Sequence, residues 1–312
     1  MRIEDMPPAR RTVARAARTL RWLRTHGFAA VIEEQEWNPL ERVPVAWAKL
    51  RWRRAHGLPP GSAVPVYLVG AQRSGTNMMV RGLGTVPEFE VRNENDRRTF
   101  DRYKLRDDHT VRALIEASRH RYVLLKPLCD SHRVDRLLDG LGTTQPGRAI
   151  WAYRGVDGRV RSALAKFGDS NLQVLREFAA GHGTARWQVQ RLSEHSVELV
   201  RSFDYDRLSP ASGAALFWYV RNRLYFELGL HERADVTLAS YDTFVAAPEA
   251  AMRRLCEFLA FEYDPRLVAH IESRPPVWRA PLELHPRIRA ACDELQERLD
   301  AAARDKGYPA RL

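Results

Sequence analysis

Between residues 66 and 76 the chain reads Val-Tyr-Leu-Val-Gly-Ala-Gln-Arg-Ser-Gly-Thr. A short apolar strand running into a glycine loop, followed by a helical run from Asn77 to Gly82, is the arrangement that cradles a phosphate-like anion. The N–H groups around Ser74, Gly75 and Thr76 and the positive end of the helix converge on it. In nucleoside triphosphate loops, Gly-x-x-x-x-Gly-Lys-Ser/Thr adds a lysine that reaches the β and γ phosphates. Here Thr76 stands in the lysine position, Asn77 follows it, and the basic residue lies upstream at Arg73. Without that lysine, and without a defined magnesium position, the loop suits a different anion.

Arg73-Ser-Gly-Thr after a strand resembles the 5′-phosphosulfate loop of sulfotransferases that use 3′-phosphoadenosine 5′-phosphosulfate (PAPS). A second apolar run, residues 148 to 153, ends in Arg154, with Asp157 and Ser162 on the segment beyond it. This is similar to the family's second nucleotide motif, in which an arginine at a strand end and a following serine hold the terminal phosphate. The chemistry is sound, since a guanidinium forks onto a phosphate and a hydroxyl adds a further bond. A third segment, Val236 to Val245 and then Pro248 to Leu259, resembles the family's late strand ending in Tyr-Glu-Asp-Leu and its proline-started helix. Asp242 and Thr243 replace the usual Glu-Asp, so the acidic contacts of that turn stay open. Tyr241 is either a purine contact or a core tyrosine.

The resemblance implies a soluble bacterial PAPS-dependent sulfotransferase with a P-loop-like fold. It makes Arg73, Ser74, Gly75, Thr76, Asn77, Arg154, Ser162 and Tyr241 the donor-binding residues, with Arg73 also steadying the transferred group. Lys126, after the strand Tyr122-Val-Leu-Leu, resembles the family's Lys-Pro element, where a cation steadies the bridging oxygen. A base must take the proton of the acceptor hydroxyl, and a carboxylate or imidazole serves. The resemblance favours Glu94, with Asp96 and His132 as rivals. A sulfuryl group carries less negative charge than a phosphoryl group, so positioned cations replace a magnesium clamp and no metal is expected. The acceptor is a hydroxyl on a small molecule, glycan, lipid or peptide tyrosine, and the residues do not choose among them.

Two other function classes stay on the page. A small-molecule kinase of related fold would show the loop lysine and an apolar strand ending in Asp, whereas the comparable strand here ends in Tyr153-Arg154. A non-catalytic nucleotide-binding or membrane-surface adaptor would bind donor without turnover.

These residues need a scaffold that presents them together. Strands are predicted near 66–70, 88–92, 121–126, 148–153 and 235–240, separated by helical stretches. That alternation predicts an α/β fold of the P-loop nucleotide-kinase type, a three-layer parallel sheet with helices on both faces and ligands at the strands' carboxyl ends. Gly70, Glu94, Lys126, Arg154 and Tyr241 fall at or just past those ends. Residues 167 to 230 read as a long helical insertion whose aromatics, Phe217-Trp218-Tyr219 and Tyr225-Phe226, either cover the acceptor or form core. Residues 286 to 306 read as a closing helix, and the loop from 274 to 279 before it is a candidate cofactor contact.

The division expected is a helical basic extension over 1–62 and a catalytic domain over 63–312, with Gly57-Leu-Pro-Pro-Gly61 as the linker. Within the extension, residues 10 to 24 form a basic amphipathic helix that either packs on the domain or makes a peripheral membrane contact. The net charge of +11 is almost wholly arginine and spread along the chain. It is permissive for anionic ligands, and no zinc-finger or aromatic-basic pattern points to nucleic acid. Three scattered cysteines indicate neither a disulfide framework nor a metal cluster. With no apolar run near the roughly twenty residues that span a bilayer, a cytoplasmic location is expected.

Overall fold

The structure is a computed structural model that describes residues 39–273 and 280–308. The predicted helix at 10–24 and the loop at 274–279 lie outside them. The chain divides into two compact units between His56 and Gly57. In the first, helix α1 (Pro39–His56) holds Val43 and Trp47 in an exposed position and carries Arg53, Arg54 and His56 in its last turn.

The second unit begins with β1 (Val64–Gly70), α2 (Thr76–Thr85), β2 (Phe89–Arg92) and a small antiparallel pair, β3 (Phe100–Asp101) and β4 (Lys104–Leu105). Next come α3 (Asp108–Glu116), β5 (Tyr122–Leu125), a 3-10 turn (Leu128–Arg133) and α4 (Val134–Gly140). After β6 (Arg148–Tyr153) follow α5 (Val156–Phe167), α6 (Ser170–Ala179), a 3-10 turn (Trp187–Val189), α7 (Glu194–Arg201) and α8 (Pro210–Glu227). Then come β7 (Val236–Ser240), α9 (Tyr241–Ala246), α10 (Pro248–Leu259) and α11 (Pro286–Asp305).

Five of these strands form one parallel sheet in the order β2-β5-β1-β6-β7. All five expected strands are present, within about two residues at each end. Their sequences are nearly continuous apolar runs because helices cover both faces. From Val66 to Val69 and from Ala149 to Ala152 every side chain is buried. The chain leaves β1 toward β2 and later crosses back from β5 to β6. Right-handed crossovers then require the outgoing helix α2 and the returning helices to take opposite faces. The divergence leaves a crevice at the carboxyl end of β1, beside β6.

Gly70 closes β1 at φ 124°, and a Cβ there would lie 2.1 Å from the Ala152 carbonyl oxygen, so the two central strands approach too closely for any side chain. The expected insertion is three helices. Its aromatics are core: Phe217, Trp218 and Tyr225 are wholly buried, because α8 is apolar around its circumference. Trp218 nevertheless serves the crevice, since its indole N–H donates to the Arg154 carbonyl at 2.8 Å. No described helix is long and apolar enough to cross a membrane.

Candidate active site

The loop from Ala71 to Gly75 joins β1 to α2 through two left-handed residues, Arg73 at φ 70° and Gly75 at φ 86°. Arginine reaches that conformation only at an energetic cost, of order 1–3 kcal/mol, and such residues gather at functional sites. Gly75 is also sterically fixed, since a Cβ would lie 2.5 Å from the Tyr241 ring. Helix α2 begins without a side-chain cap and without an acid in its first turn. Its leading N–H groups and positive end thus have no side-chain acceptor from the cap residue and no acid in the first turn beside them. Ser74 is fully buried, and its hydroxyl meets no partner among the described residues.

Three elements converge on this loop. From α5, Ser162 accepts a hydrogen bond from Arg73 Nε at 3.0 Å, across 89 positions of sequence. From the end of β6, the Arg154 guanidinium lies 4.1 Å from the centre of the Tyr241 ring, a cation–π contact. Tyr241 itself is the first residue of α9 and stands half-buried between Arg154 and Gly75. The turn at Asp242-Thr243 has an acidic contact, because Asp242 accepts the Gly155 N–H at 2.7 Å and pins the start of α5. Asp157, next along α5, accepts from Arg289 and from the Leu282 amide, so the carboxyl-terminal segment is fastened to the same helix. Arg154 and Ser162 both lie beside this loop. Ser162 bonds to Arg73, and Arg154 stacks on Tyr241.

On the other side of β1, Lys126 follows β5 and is nearly buried. Its ammonium donates to Asn77 Oδ1 at 2.6 Å. A lysine from the neighbouring strand therefore stands over the first turn of α2, close to where the loop itself lacks one. The Lys126 amide also donates to the Arg92 carbonyl at 3.3 Å, tying the ends of β5 and β2 together. Glu94, half-buried, lies in the turn just past Arg92.

Asp96 is differently placed. It accepts from Arg92 at 2.8 Å, the Arg98 amide at 3.0 Å and the Thr99 hydroxyl at 2.9 Å. Burial raises its carboxyl, but those donors outweigh burial and hold it below the usual carboxylate range. A carboxylate so occupied is a turn-former and a poor proton acceptor. His132 is also weak as a base, since burial first and then the charges of Arg221, Arg133, Arg191 and Lys104 push its imidazole down to about 3. Asp96 and His132 are thus both poorly suited to take a proton at neutral pH.

Sequence reasoning missed Arg159. It sits on the buried face of α5 with Val156, Val160 and Ala163, fully out of water. Its guanidinium donates to the Gln72 carbonyl at 3.1 Å, Asn171 Oδ1 at 3.1 Å and the Ala214 carbonyl at 3.0 Å. Burial, and then the nearby charge of Arg73, pull it down to about 9, still charged at neutral pH. It braces the anion loop from beneath. An arginine on the apolar stripe of a helix was the available signal.

The fold and loop thus define a parallel α/β protein with a lysine-free glycine loop at the end of its central strand. No protein-family model matches the chain, and no curated protein matches it. Among solved structures, it is similar to a sulfotransferase from Alicyclobacillus acidocaldarius, at 17% identity and a TM-score of 0.43 over 77% of this chain and 94% of that one. It is also similar to the sulfotransferase domain from the curacin biosynthetic pathway, at 14% identity and a TM-score of 0.42 over 80% of this chain and 99% of that one.

Proposed function

We propose that the chain is a sulfotransferase that moves the sulfuryl group of PAPS to a hydroxyl of an acceptor. The observation that carries this reading is the Arg73–Ser162 hydrogen bond, which joins the two separately recognised anion motifs into one surface. Their residues fit a doubly phosphorylated nucleotide. The buried, unpartnered Ser74 hydroxyl and the uncapped start of α2 suit its 5′ end, and Arg154 with Ser162 suits its 3′-phosphate. Tyr241 supplies a ring face for the purine.

PAPS brings an activated sulfuryl group whose leaving group is a phosphate. The chain's residues then have three tasks. Ser74, Gly75 and Thr76 hold the group by backbone N–H donors, with Arg73 beside them. Lys126, steadied by Asn77, offers a cation to the charge that grows on the bridging oxygen. Glu94 accepts the proton of the acceptor hydroxyl as the new S–O bond forms. The two positioned cations do the work that magnesium does for phosphoryl groups, so the reaction needs no metal.

A thermal-shift panel tests the proposal. The product nucleotide, 3′,5′-bisphosphoadenosine, should raise the melting temperature more than ATP, GTP or NAD at equal concentration, since a ligand at 100 times its Kd adds about 2.7 kcal/mol of stability. A larger shift with ATP and magnesium would replace this reading with the kinase one.

A further inference from the structure

Helix α8 carries a second arginine that is as fully buried as Arg159 but far less engaged. Arg221 is 1% exposed. Its Nη1 donates to the Trp187 carbonyl at 3.1 Å, and its Cζ lies 5.2 Å from the centre of the Trp187 ring. Nε and Nη2 are buried and meet no acceptor among the described residues, and no described carboxylate pairs with it. An unpaired buried guanidinium is costly, and an apolar side chain of the same length would pack against Trp187 without that cost.

A second buried donor lies on the turn that packs against the Trp187–Val189 turn. His132 Nδ1 has no partner among the described residues. His132 lies on the Leu128–Arg133 turn, which packs against the Trp187–Val189 turn and against β1. Arg191 holds the His132 carbonyl at 3.0 Å, and Ser131 of the same turn accepts the Gly70 N–H at 3.0 Å. The pair therefore lies at the carboxyl edge of the sheet, beside the start of the donor loop.

We infer that Arg221 and His132 form a buried oxyanion pocket for an anionic group carried by the acceptor. The Nε and Nη2 edge of a guanidinium forks onto a carboxylate, sulfate or phosphate, and the neutral imidazole adds one N–H donor. The substrate class is then a hydroxyl compound that already carries a negative charge. This rests on the sulfotransferase reading above, and it gives His132 a binding task in place of a proton-transfer one.

The test uses full-length protein saturated with 3′,5′-bisphosphoadenosine, so that the donor loop is filled before any other anion is added. Sodium acetate stands for a carboxylate-bearing acceptor and sodium sulfate for a sulfated or phosphorylated one, each titrated in parallel against Arg221→Met. At least one anion should raise the wild-type melting temperature a few degrees beyond its effect on Arg221→Met, with saturation at millimolar concentration. Equal gains in the two proteins overturn the pocket. Should Arg221→Met fail to fold, bromide-soaked wild-type crystals decide: an anomalous peak on the Nε–Nη2 edge supports the pocket, and a water there without a peak overturns it. The nucleotide step is read first. No shift with bisphosphoadenosine removes both proposals, whereas a nucleotide shift without an anion effect removes the pocket alone.

Discussion

Arg159 and Arg221 are both wholly buried arginines without a carboxylate partner among the described residues, and they are held in different ways. Around Arg159 three hydrogen bonds from Nε and Nη1 fix the Gln72 carbonyl, α6 and α8, with Nη2 left over, and the loop above is held further by Arg73, Ser162, Tyr241 and Asp242. Around Arg221 one hydrogen bond is made and two donor atoms are left over. A cation whose hydrogen bonds all end on backbone and amide oxygens serves the fold. Arg221 makes one such bond and Arg159 three, so the second is held more firmly by the fold. On the proposed reading, the donor side would be assembled by the protein itself and the acceptor side completed by what it binds.

The largest effect should separate the two arginines. Arg159→Met leaves three buried acceptors unsatisfied and should destabilise the protein by about 3–5 kcal/mol in urea unfolding, whereas Arg221→Met, which removes an unpaired charge, should be neutral or stabilising by about 1–4 kcal/mol. Equal losses would erase the contrast. Next in size is Glu94→Gln, which should lower turnover by about 10²–10⁴-fold and leave bisphosphoadenosine affinity unchanged, showing that the two sides act separately. Full activity in that variant would remove Glu94 from the base role.

A smaller effect concerns pH. His132 titrates near 3 in the folded protein, below its ordinary value of about 6.5, so the unfolded chain binds the extra proton. Stability from this group is complete above about pH 6.5 and is lost as pH falls toward 3. The groups that hold it down besides burial are Arg221 on α8, Arg133 on its own turn, Arg191 and Lys104. Melting temperature should therefore fall less steeply between pH 6.5 and 4 in His132→Asn than in wild type. Parallel curves would mean that the imidazole is not held neutral by that surrounding.

The strands and the loop after β1 were largely legible in the sequence, and the contacts made across them were not. Strand, loop and helix order around Arg73 to Thr76 is local, and so is the placement of Arg154 and Tyr241 at strand ends, because apolar runs mark buried parallel strands and their ends are where polar residues begin. Partnerships were hidden. That Ser162 faces Arg73, or that Lys126 reaches Asn77, depends on which strands become neighbours, and periodicity reports a face without naming what lies across it. The small β3–β4 pair was missed because two-residue strands leave no period to read. Arg159 and Arg221 escaped because buried arginine contradicts the usual distribution of charge, although each stood on an otherwise apolar helix face. Asp96 stood in sequence as a rival to the favoured Glu94, and the turn around Arg92, Arg98 and Thr99 that engages it was not readable there.

The account's central claim is that the loop at Arg73 and the strand end at Arg154 hold opposite ends of one nucleotide. Calorimetric titration of 3′,5′-bisphosphoadenosine and of adenosine 5′-monophosphate into wild type and Arg154→Ala tests it most directly. Wild type should prefer the bisphosphate by about 1.5–3 kcal/mol, the value of charge-assisted hydrogen bonds to the 3′-phosphate, and Arg154→Ala should lose that preference while binding the monophosphate as before. Equal affinity of wild type for the two nucleotides, or a preference that survives in Arg154→Ala, would contradict it.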